Sequence, residues 1–292
     1  MPSGLRKKIL VLDVGGNHVK LHLTGQDETL KIPSGPALTP RRMLAAVRRA
    51  MAPRGWQFDA VSIGIPAPVV RGEVVREPAN LGPGWTRFDF AGAVRKPVRI
   101  VNDAGMQALG SYQGGTMLFL GLGTGLGSAL VVDGILVPME LARLPYGKGE
   151  LEDQVGERAL LRLGKRRWRR RVLDVVNAVA AAFVVDEVVL GGGNARHLRD
   201  LPKGIRLGSN ALAMVGGERL WREPPFARLS AGDGASRAAS ALRIRGRGAP
   251  LATAPARRAR GPRRGESSRG RARRPRRGRR CGPPRTARDR SP

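Results

Sequence analysis

The sequence predicts an α/β fold with a phosphate-binding turn, on three observations. Short apolar runs typical of strands alternate with periodic segments typical of helices along the first three quarters of the chain. Two such runs, 118–122 and 128–132, flank the glycine-rich turn 123–127, which predicts a β-hairpin with a bare tip. A third run, 98–101, places Asp103 near the end of a strand. A bare tip lets backbone N–H groups surround a phosphate, so a carboxylate nearby suggests phosphoryl transfer.

Composition divides the chain at about residue 222. The 292 residues carry a formal net charge of +30, and +17 of it falls on residues 223–292, which contain 21 Arg, no Lys and four acidic residues. Such a segment cannot bury an apolar core, so we expect a disordered tail rich in Arg, Pro and Gly. One hypothesis is a non-native extension translated out of frame. The other is a genuine arginine-rich arm for nucleic acid or polyphosphate.

The cysteine content and the apolar runs of the sequence predict the cellular compartment. Cys281 is the only cysteine, which excludes a disulfide or a Cys-based zinc site within one chain and favours a reducing cytoplasm. The apolar run 8–14 reaches Asp13 too soon for a signal peptide. The run 178–190 is interrupted by two acidic residues before the ~20 residues that a membrane span needs. We therefore expect a cytoplasmic protein with no structural zinc and no membrane segment.

The remaining elements follow from local pattern. Thr39 and Pro40 suit the N-cap and the first position of a helix. Asp103 lies where a strand passes into a helix beginning at 104, a junction at which sheet enzymes place ligands. In chain order we predict strands at 9–14, 19–23, 59–65 and 186–190, a strand or a hairpin at 70–75, and helices at 88–94, 150–171, 172–183, 195–201 and 210–221.

Two further glycine turns are candidate anion sites. Residues 15–16 follow Asp13 at the end of the first strand, with Lys20 close by, so this turn is a candidate for phosphate or metal. Residues 191–193 join a strand to a predicted helix, whose N-terminus attracts anions. An ordinary hairpin and a plain strand-to-helix turn are the alternative interpretations.

The predicted helix 150–171 ends in a strongly basic face around Trp168. Its cations are Lys165, Arg166, Arg167, Arg169, Arg170 and Arg171. Clustered cations bind phosphate chains through counterion release, so a polyanion site is one interpretation. A solvated helix face is the other.

Eight motifs in order, over about residues 7–222, resemble the ROK family of sugar kinases, above all its bacterial polyphosphate glucokinase-like branch. The motifs are DVGGNHVK, IGIPAPV, NLGPGW, VNDAGMQALG, LGLGTGLGSALVVDG, MELARL, LGGGNA and SNALAMVGGERLW. Their order is far harder to match by chance than any single motif.

The resemblance implies an actin-like ATPase fold of the ribonuclease H-like type, with two α/β lobes around a cleft. The lobes would span 1–104 and 105–209, and a final helix at about 210–222 would pack back on the first lobe. Members of the family are often dimers, so the resemblance also makes a homodimer a candidate assembly, but no interface is evident in the sequence.

The resemblance further implies transfer of a phosphoryl group from polyphosphate or ATP, with Mg²⁺, to the 6-hydroxyl of glucose or a similar hexose. By match, Asp103 would be the general base. The sugar side would hold Asn80, Asn102, Glu140, Glu152 and Arg143. The phosphate and nucleotide side would hold Asp13, Gly15, Gly16, Asn17, Lys20, Gly123, Thr124, Gly125, Gly127, Gly191, Gly192 and Gly193, with Asp13 also at the metal.

Three departures from the family pattern leave alternatives open. Ala67 stands where glycine is usual, and Ala142 and Arg143 replace a glycine and a sugar-contacting histidine. A fixed cation at Arg143 would block glucose or select a more anionic substrate. A second hypothesis is therefore a protein that binds sugar or polyanion without turnover. A third is a basic protein that binds nucleic acid through its tail.

Overall fold

The computed structural model describes residues 7–222 and confirms the predicted α/β class. The strands are β1 (Ile9–Val14), β2 (His18–Leu23), β3 (Thr29–Pro33), β4 (Ala60–Ile65), β5 (Val69–Val70), β6 (Glu73–Val74), β7 (Val98–Asn102), β8 (Thr116–Leu122), β9 (Leu126–Val132), β10 (Ile135–Pro138), β11 (Pro145–Tyr146), β12 (Gly149–Glu150), β13 (Glu187–Gly191) and β14 (Ile205–Leu207). The helices are α1 (Pro40–Met51), α2 (Phe90–Val94), α3 (Asp103–Ser111), α4 (Leu151–Val155), α5 (Glu157–Phe183) and α6 (Leu212–Arg219). The predicted tail and Cys281 lie outside the described residues.

The first sheet has the strand order β3-β2-β1-β4-β7. Strands β1, β4 and β7 run parallel, whereas β2 and β3 return antiparallel. Every residue of β1 and β4 is buried, as expected for the central strands of a sheet covered on both faces. Asp13 and Asp103 lie at the same edge of the sheet, because the carboxyl ends of the parallel strands β1 and β7 meet there.

The second sheet has the order β10-β9-β8-β13-β14 and contains the predicted glycine hairpin. Strands β8 and β9 pair antiparallel from Thr116 with Val132 to Leu122 with Leu126. Strand β13 pairs parallel with β8 and ends beside its tip, with Gly191 opposite Gly121. The turns after β8 and β13 therefore lie at the same edge of this sheet.

Helices α3 and α6 cross with their backbones almost in contact. A Cβ atom added at Gly110 would lie 1.8 Å from the Leu212 carbonyl oxygen, and one at Gly216 would lie 1.8 Å from the Met106 carbonyl oxygen. Only glycine permits this approach. Helix α6 also reaches the first sheet, where the Ser62 hydroxyl donates to the Gly217 carbonyl at 2.6 Å.

Most local predictions are confirmed, including the helices at 172–183 and 210–221, but the predicted helices at 150–171 and 195–201 are not. Thr39 caps α1 as predicted, accepting a hydrogen bond from the Arg42 N–H. The predicted continuous helix 150–171 is wrong, because Gly156 has extended backbone and separates α4 from α5. Gly164, at a φ of 72°, then kinks α5. Within residues 7–222, no helix combines the length and the apolar character that crossing a membrane requires.

Candidate active site

Asp103 lies at the junction of β7 and α3, as predicted. Asn102 is the N-cap of α3, and both the Asn102 and Asp103 side-chain oxygens accept from the Ala104 N–H at 2.9 Å. The Asn102 amide also donates to the Ala67 carbonyl at 3.1 Å. The predicted sugar ligand Asn102 is thus engaged in holding the start of α3. Ala67, a departure from the family pattern, is accommodated as a buried residue.

The surroundings of Asp103 favour its protonated form. Burial raises the pKa of the Asp103 carboxyl to about 6, and the negative charges of Asp13 and Glu140 add to the shift. Hydrogen bonding to its own backbone and to the Ala104 N–H acts in the opposite direction and is too weak to cancel it. A carboxylate with a pKa near 6 is ionised at neutral pH and is still basic enough to accept a proton in a reaction.

Two glycines set Asp103 between the two sheets. A Cβ atom on Gly64 of β4 would lie 3.4 Å from the Asp103 Cα atom, and one on Gly127 of β9 would lie 2.7 Å from the Ala104 Cβ atom. The start of α3 therefore packs against both sheets at once. The sequence predicts that Gly127 belongs to the phosphate-binding turn, but it lies within β9. Its lack of a side chain makes room there for Ala104.

Asp13 is a buried carboxylate at the end of β1. It is 5% exposed and forms an ion pair of 2.8 Å with Lys20 on β2, so these two predicted residues meet. The Gly15 N–H donates to the His18 carbonyl and closes the hairpin, which supports the ordinary-hairpin interpretation at that residue. Gly16 lies against Asn80, whose Cβ atom is 3.6 Å from the position of a Gly16 Cβ. The sugar-side residue Asn80 therefore adjoins the turn after β1.

Glu140, Glu152 and Arg143 form a charged group near Asp103. Burial raises the pKa of the Glu140 carboxyl. The positive charge of Arg143 lowers this pKa, and the negative charge of Glu152 raises it further. The Glu152 carboxylate accepts from the Leu126 N–H at 3.1 Å, which fixes it beside the glycine hairpin. Arg143 forms a 2.8 Å ion pair with Glu150, and its side chain is 58% exposed. The guanidinium is thus held at the surface by a carboxylate.

The turn between β8 and β9 is shorter than predicted. It comprises Gly123, Thr124 and Gly125, because residues 126–127 already belong to β9. None of its glycines has a positive φ, so backbone strain is not the reason for glycine here. At Gly125 the reason is space, since a Cβ atom there would lie 2.2 Å from a Glu152 carboxylate oxygen. Thr124 is exposed at the tip, as a phosphate cradle requires.

The turn after β13 lies against the glycine hairpin. Gly192, at a φ of 82°, has no room for a side chain, because its Cβ would lie 2.4 Å from the Leu122 carbonyl oxygen. The buried Asn194 side chain donates to the Gly123 carbonyl at 3.1 Å. The two turns thus form one bare rim, which is exposed at Thr124 and Gly193, whereas Gly191 is buried at the end of β13. This role of Asn194 is not evident from the sequence, since only the fold brings the two turns together.

The helix predicted after this turn is wrong. Instead of an α-helix at 195–201, a short 3-10 helix spans Gly193–His197. The argument from a helix dipole at this turn therefore has no support. What remains is the open backbone at Gly193, where nothing lies within 4 Å of an added Cβ.

A magnesium ion carried by donor phosphates would fit this site. Such an ion needs only one or two protein carboxylates beside the phosphate oxygens. Asp13 and Asp103 offer carboxylates close enough for the charge of one to shift the pKa of the other. Within residues 7–222 there is no group of three or more His, Cys, Asp or Glu side chains that could hold a metal by themselves. The residues therefore suit a phosphate-bound ion rather than a dedicated metal centre.

The chain is similar in sequence and in fold to known sugar kinases. Residues 9–138 match the ROK family model. The polyphosphate glucokinase of Mycobacterium tuberculosis strain H37Rv is 29% identical over 210 residues, covering 63% of this chain and 77% of the relative.

Two solved structures show the same fold. The inorganic polyphosphate/ATP-glucomannokinase from Arthrobacter sp. strain KM has a TM-score of 0.63 and 24% identity, covering 73% of this chain and 97% of that chain. A ROK family glucokinase from Streptomyces griseus, in complex with glucose and AMPPNP, has a TM-score of 0.57 and 18% identity, covering 73% and 98%. The chain has the actin-like ATPase fold of ROK sugar kinases, and its residues 9–138 match the ROK family model.

Proposed function

We propose that this protein is a sugar kinase that transfers a phosphoryl group from polyphosphate or ATP to the 6-hydroxyl of glucose or a similar hexose. Sugar kinase activity is supported at the level of the family by the ROK domain and by relatives named as polyphosphate glucokinases. The observation that supports the specific proposal best is the position of Asp103. It is a partly buried carboxylate with a pKa of about 6, at a strand end between the two sheets.

Asp103 acts as the general base in this proposal. The sugar oxygen attacks the terminal phosphorus of the donor while its proton passes to the Asp103 carboxylate. Phosphoryl transfer has a loose transition state, in which positioning and charge neutralisation supply most of the catalysis. The backbone contacts of α3 with both sheets hold Asp103 in place for this step.

The sugar lies, in this proposal, between Asp103 and the residues Asn80, Asn102, Glu140 and Glu152. Carboxylate and amide oxygens accept hydrogen bonds from sugar hydroxyls, and an amide nitrogen also donates. Support comes from the placement of Glu152 beside the hairpin and of Glu140 near Asp103. Asn102 contributes chiefly by positioning, because its amide already bonds backbone groups.

The phosphoryl donor lies along the bare rim formed by residues 123–125 and 191–193. Backbone N–H groups of such turns bind phosphate oxygens. Asp13, with Lys20 beside it, faces the metal-bearing phosphates. When bound, Mg²⁺ neutralises the charge that develops on the phosphate oxygens.

A protein that binds sugar without turnover is the second candidate function. The observation in its favour is Arg143, a cation among Glu140, Glu150 and Glu152 where the family carries a histidine. The ion pair with Glu150 turns this cation toward solvent, which favours the kinase. Nucleic-acid binding through the tail concerns residues outside the described part of the chain.

The decisive experiment measures glucose phosphorylation by the full chain with Mg²⁺ and either ATP or polyphosphate. Asp103→Asn removes the base and keeps the size of the side chain, and we expect turnover to fall at least about a hundredfold. Asp27→Asn is the matched control, because Asp27 is exposed in the turn before β3. Equal activities of the two variants would refute the role of Asp103. A folded wild-type protein with no turnover from either donor would favour the binding protein, and Arg143→His would then test whether that residue is the cause.

A further inference from the structure

An exposed group of cations on α5 has no counterion within the described residues. We call it the basic surface; it consists of Lys165, Arg166, Arg167, Arg169, Arg170 and Arg171 on α5, together with Arg196 of the 3-10 helix Gly193–His197. All are exposed except Arg169, which is partly buried. Among residues 7–222, none of the ion pairs with a carboxylate involves any of them. Uncompensated like charges repel, so this surface would be stabilised by an anion.

The packing of α5 fixes the direction of these cations. Trp168 is fully buried and donates its indole N–H to the Val155 carbonyl at 2.9 Å. Val172 and Val176 continue the buried face one and two turns later. The expectation that Trp168 shares an exposed face with the cations is therefore wrong. The cations are presented on a rigid, anchored helix, and the aromatic side chain is absent from their surface.

The basic surface begins where the glycine turns meet. The 3-10 helix packs on α5, and the charges of Lys165 and Arg196 add to burial in lowering the pKa of His197 between them. The same short helix starts at the exposed Gly193, and its Asn194 bonds the Gly123 carbonyl. The exposed Gly193 and Arg196 of this 3-10 helix therefore lie between the glycine turns and the cations of α5.

One member of the surface has an unfulfilled hydrogen bond. The Nε of Arg169 is buried and has no partner among the described residues. A buried donor without an acceptor is costly, and a phosphate oxygen is a strong acceptor for a guanidinium. This atom lies on the part of α5 that faces the 3-10 helix, since Arg169 also influences His197.

We propose that the basic surface binds the chain of a linear polyphosphate whose terminal phosphoryl group lies at the glycine turns. This inference rests on the proposed kinase function and names its donor. The cations at 165–171 extend over ~9 Å of helix at 1.5 Å per residue, beyond the turns that would hold a triphosphate. Single-stranded nucleic acid is bound by exposed aromatic side chains as well as cations, and here Trp168 is buried. The surface therefore suits an anion without bases.

The reaction balances without a further reactant. The sugar oxygen forms a bond to the terminal phosphorus, and the bond from that phosphorus to the bridging oxygen breaks. The proton of the sugar hydroxyl passes to Asp103. The polyphosphate, one unit shorter, stays on the basic surface as the leaving group and can advance by one unit.

The first test compares donor kinetics in the full chain. Lys165→Gln combined with Arg170→Gln removes two cations of the surface, and Lys31→Gln combined with Arg49→Gln removes two exposed cations elsewhere as a matched control. We expect the first pair to raise KM for long-chain polyphosphate about tenfold relative to KM for ATP, and to reduce the slope of log KM against log salt by about 1.4. The control pair should leave both KM values as in the wild type. Equal effects of the two pairs would overturn the proposal.

The second test does not depend on turnover. Long-chain polyphosphate is added to the full-length Asp103→Asn protein, and lysine acylation is measured by mass spectrometry. Residues 223–292 contain no Lys, so binding to the tail adds no signal. We expect Lys165 to be protected and Lys31 to stay reactive. If Lys165 is protected but the wild-type protein shows no turnover with any donor, the kinase proposal is refuted and the polyphosphate site is supported. The proposed polyphosphate site would be refuted if Lys165 stayed reactive. It would also be refuted if an oligonucleotide protected Lys165 at a lower concentration than polyphosphate does.

Discussion

Asp103→Asn should stabilise the protein while removing its activity. In the folded protein the Asp103 carboxyl has a pKa of about 6, against an ordinary value of 3.8. Between these two pH values the folded state binds more protons than the unfolded state, so stability falls as the pH rises. Above about pH 7 the stability of the folded state falls no further through this group. A shift of about two pKa units corresponds to about 3 kcal/mol in the free energy of unfolding.

The measurement is urea unfolding of the wild type and of Asp103→Asn from pH 4 to pH 8. Asparagine keeps the side-chain oxygen that accepts from the Ala104 N–H, so the change mainly removes the titration. We expect the variant to be more stable by up to about 3 kcal/mol at pH 7.5, with the advantage vanishing near pH 4. Asp27→Asn should show no such trend, since that side chain is exposed. A stability difference independent of pH, or one that shrinks as the pH rises, would refute the reasoning.

Three further predictions follow from named contacts. The kcat/KM for sugar phosphorylation should rise with pH through about 6, because Asp103 must be ionised to accept a proton; a flat profile from pH 5 to 8 would argue against that role. Gly110→Ala should destabilise the fold by about 3 kcal/mol or more, because its methyl group would meet the Leu212 carbonyl, whereas Gly123→Ala adds one into open space and should cost under about 1 kcal/mol in thermal unfolding. Asn194→Ala should raise KM for either donor more than KM for glucose in steady-state kinetics, since it removes the hydrogen bond to the Gly123 carbonyl that joins the two glycine turns.

The strands and the junction of β7 with α3 could be predicted from sequence because their signals are local. A run such as residues 9–14 is apolar on both faces, which only a central strand explains, and Thr39 with Pro40 marks a helix start regardless of the rest of the fold. Asp103 was found in the same way, as a polar residue directly after an apolar run. Each of these inferences needs only a few neighbouring residues.

The missed features depend on contacts between distant segments. Gly125 is glycine because of the carboxylate of Glu152, and Gly110 because of the backbone of α6. Neither reason is visible in the neighbouring sequence, which suggests phosphate binding at Gly125 and no role for Gly110. The outward direction of the basic surface depends on the burial of Trp168, which the neighbouring cations do not reveal. Local pattern therefore located the site, and tertiary packing decided how it is assembled.

The crossing of α3 with α6 makes the order of synthesis matter. Helix α3, which begins with Asp103, is completed at residue 111, yet the surface of its Gly110 is covered only when residues 212–219 have been made. A nascent chain must therefore hold α3 without its partner helix while about a hundred further residues are made, and α3 is exposed to mispairing during that time. A chain ending before α6 would leave the Gly110 end of α3 uncovered, although the contacts of its first turn with both sheets would remain.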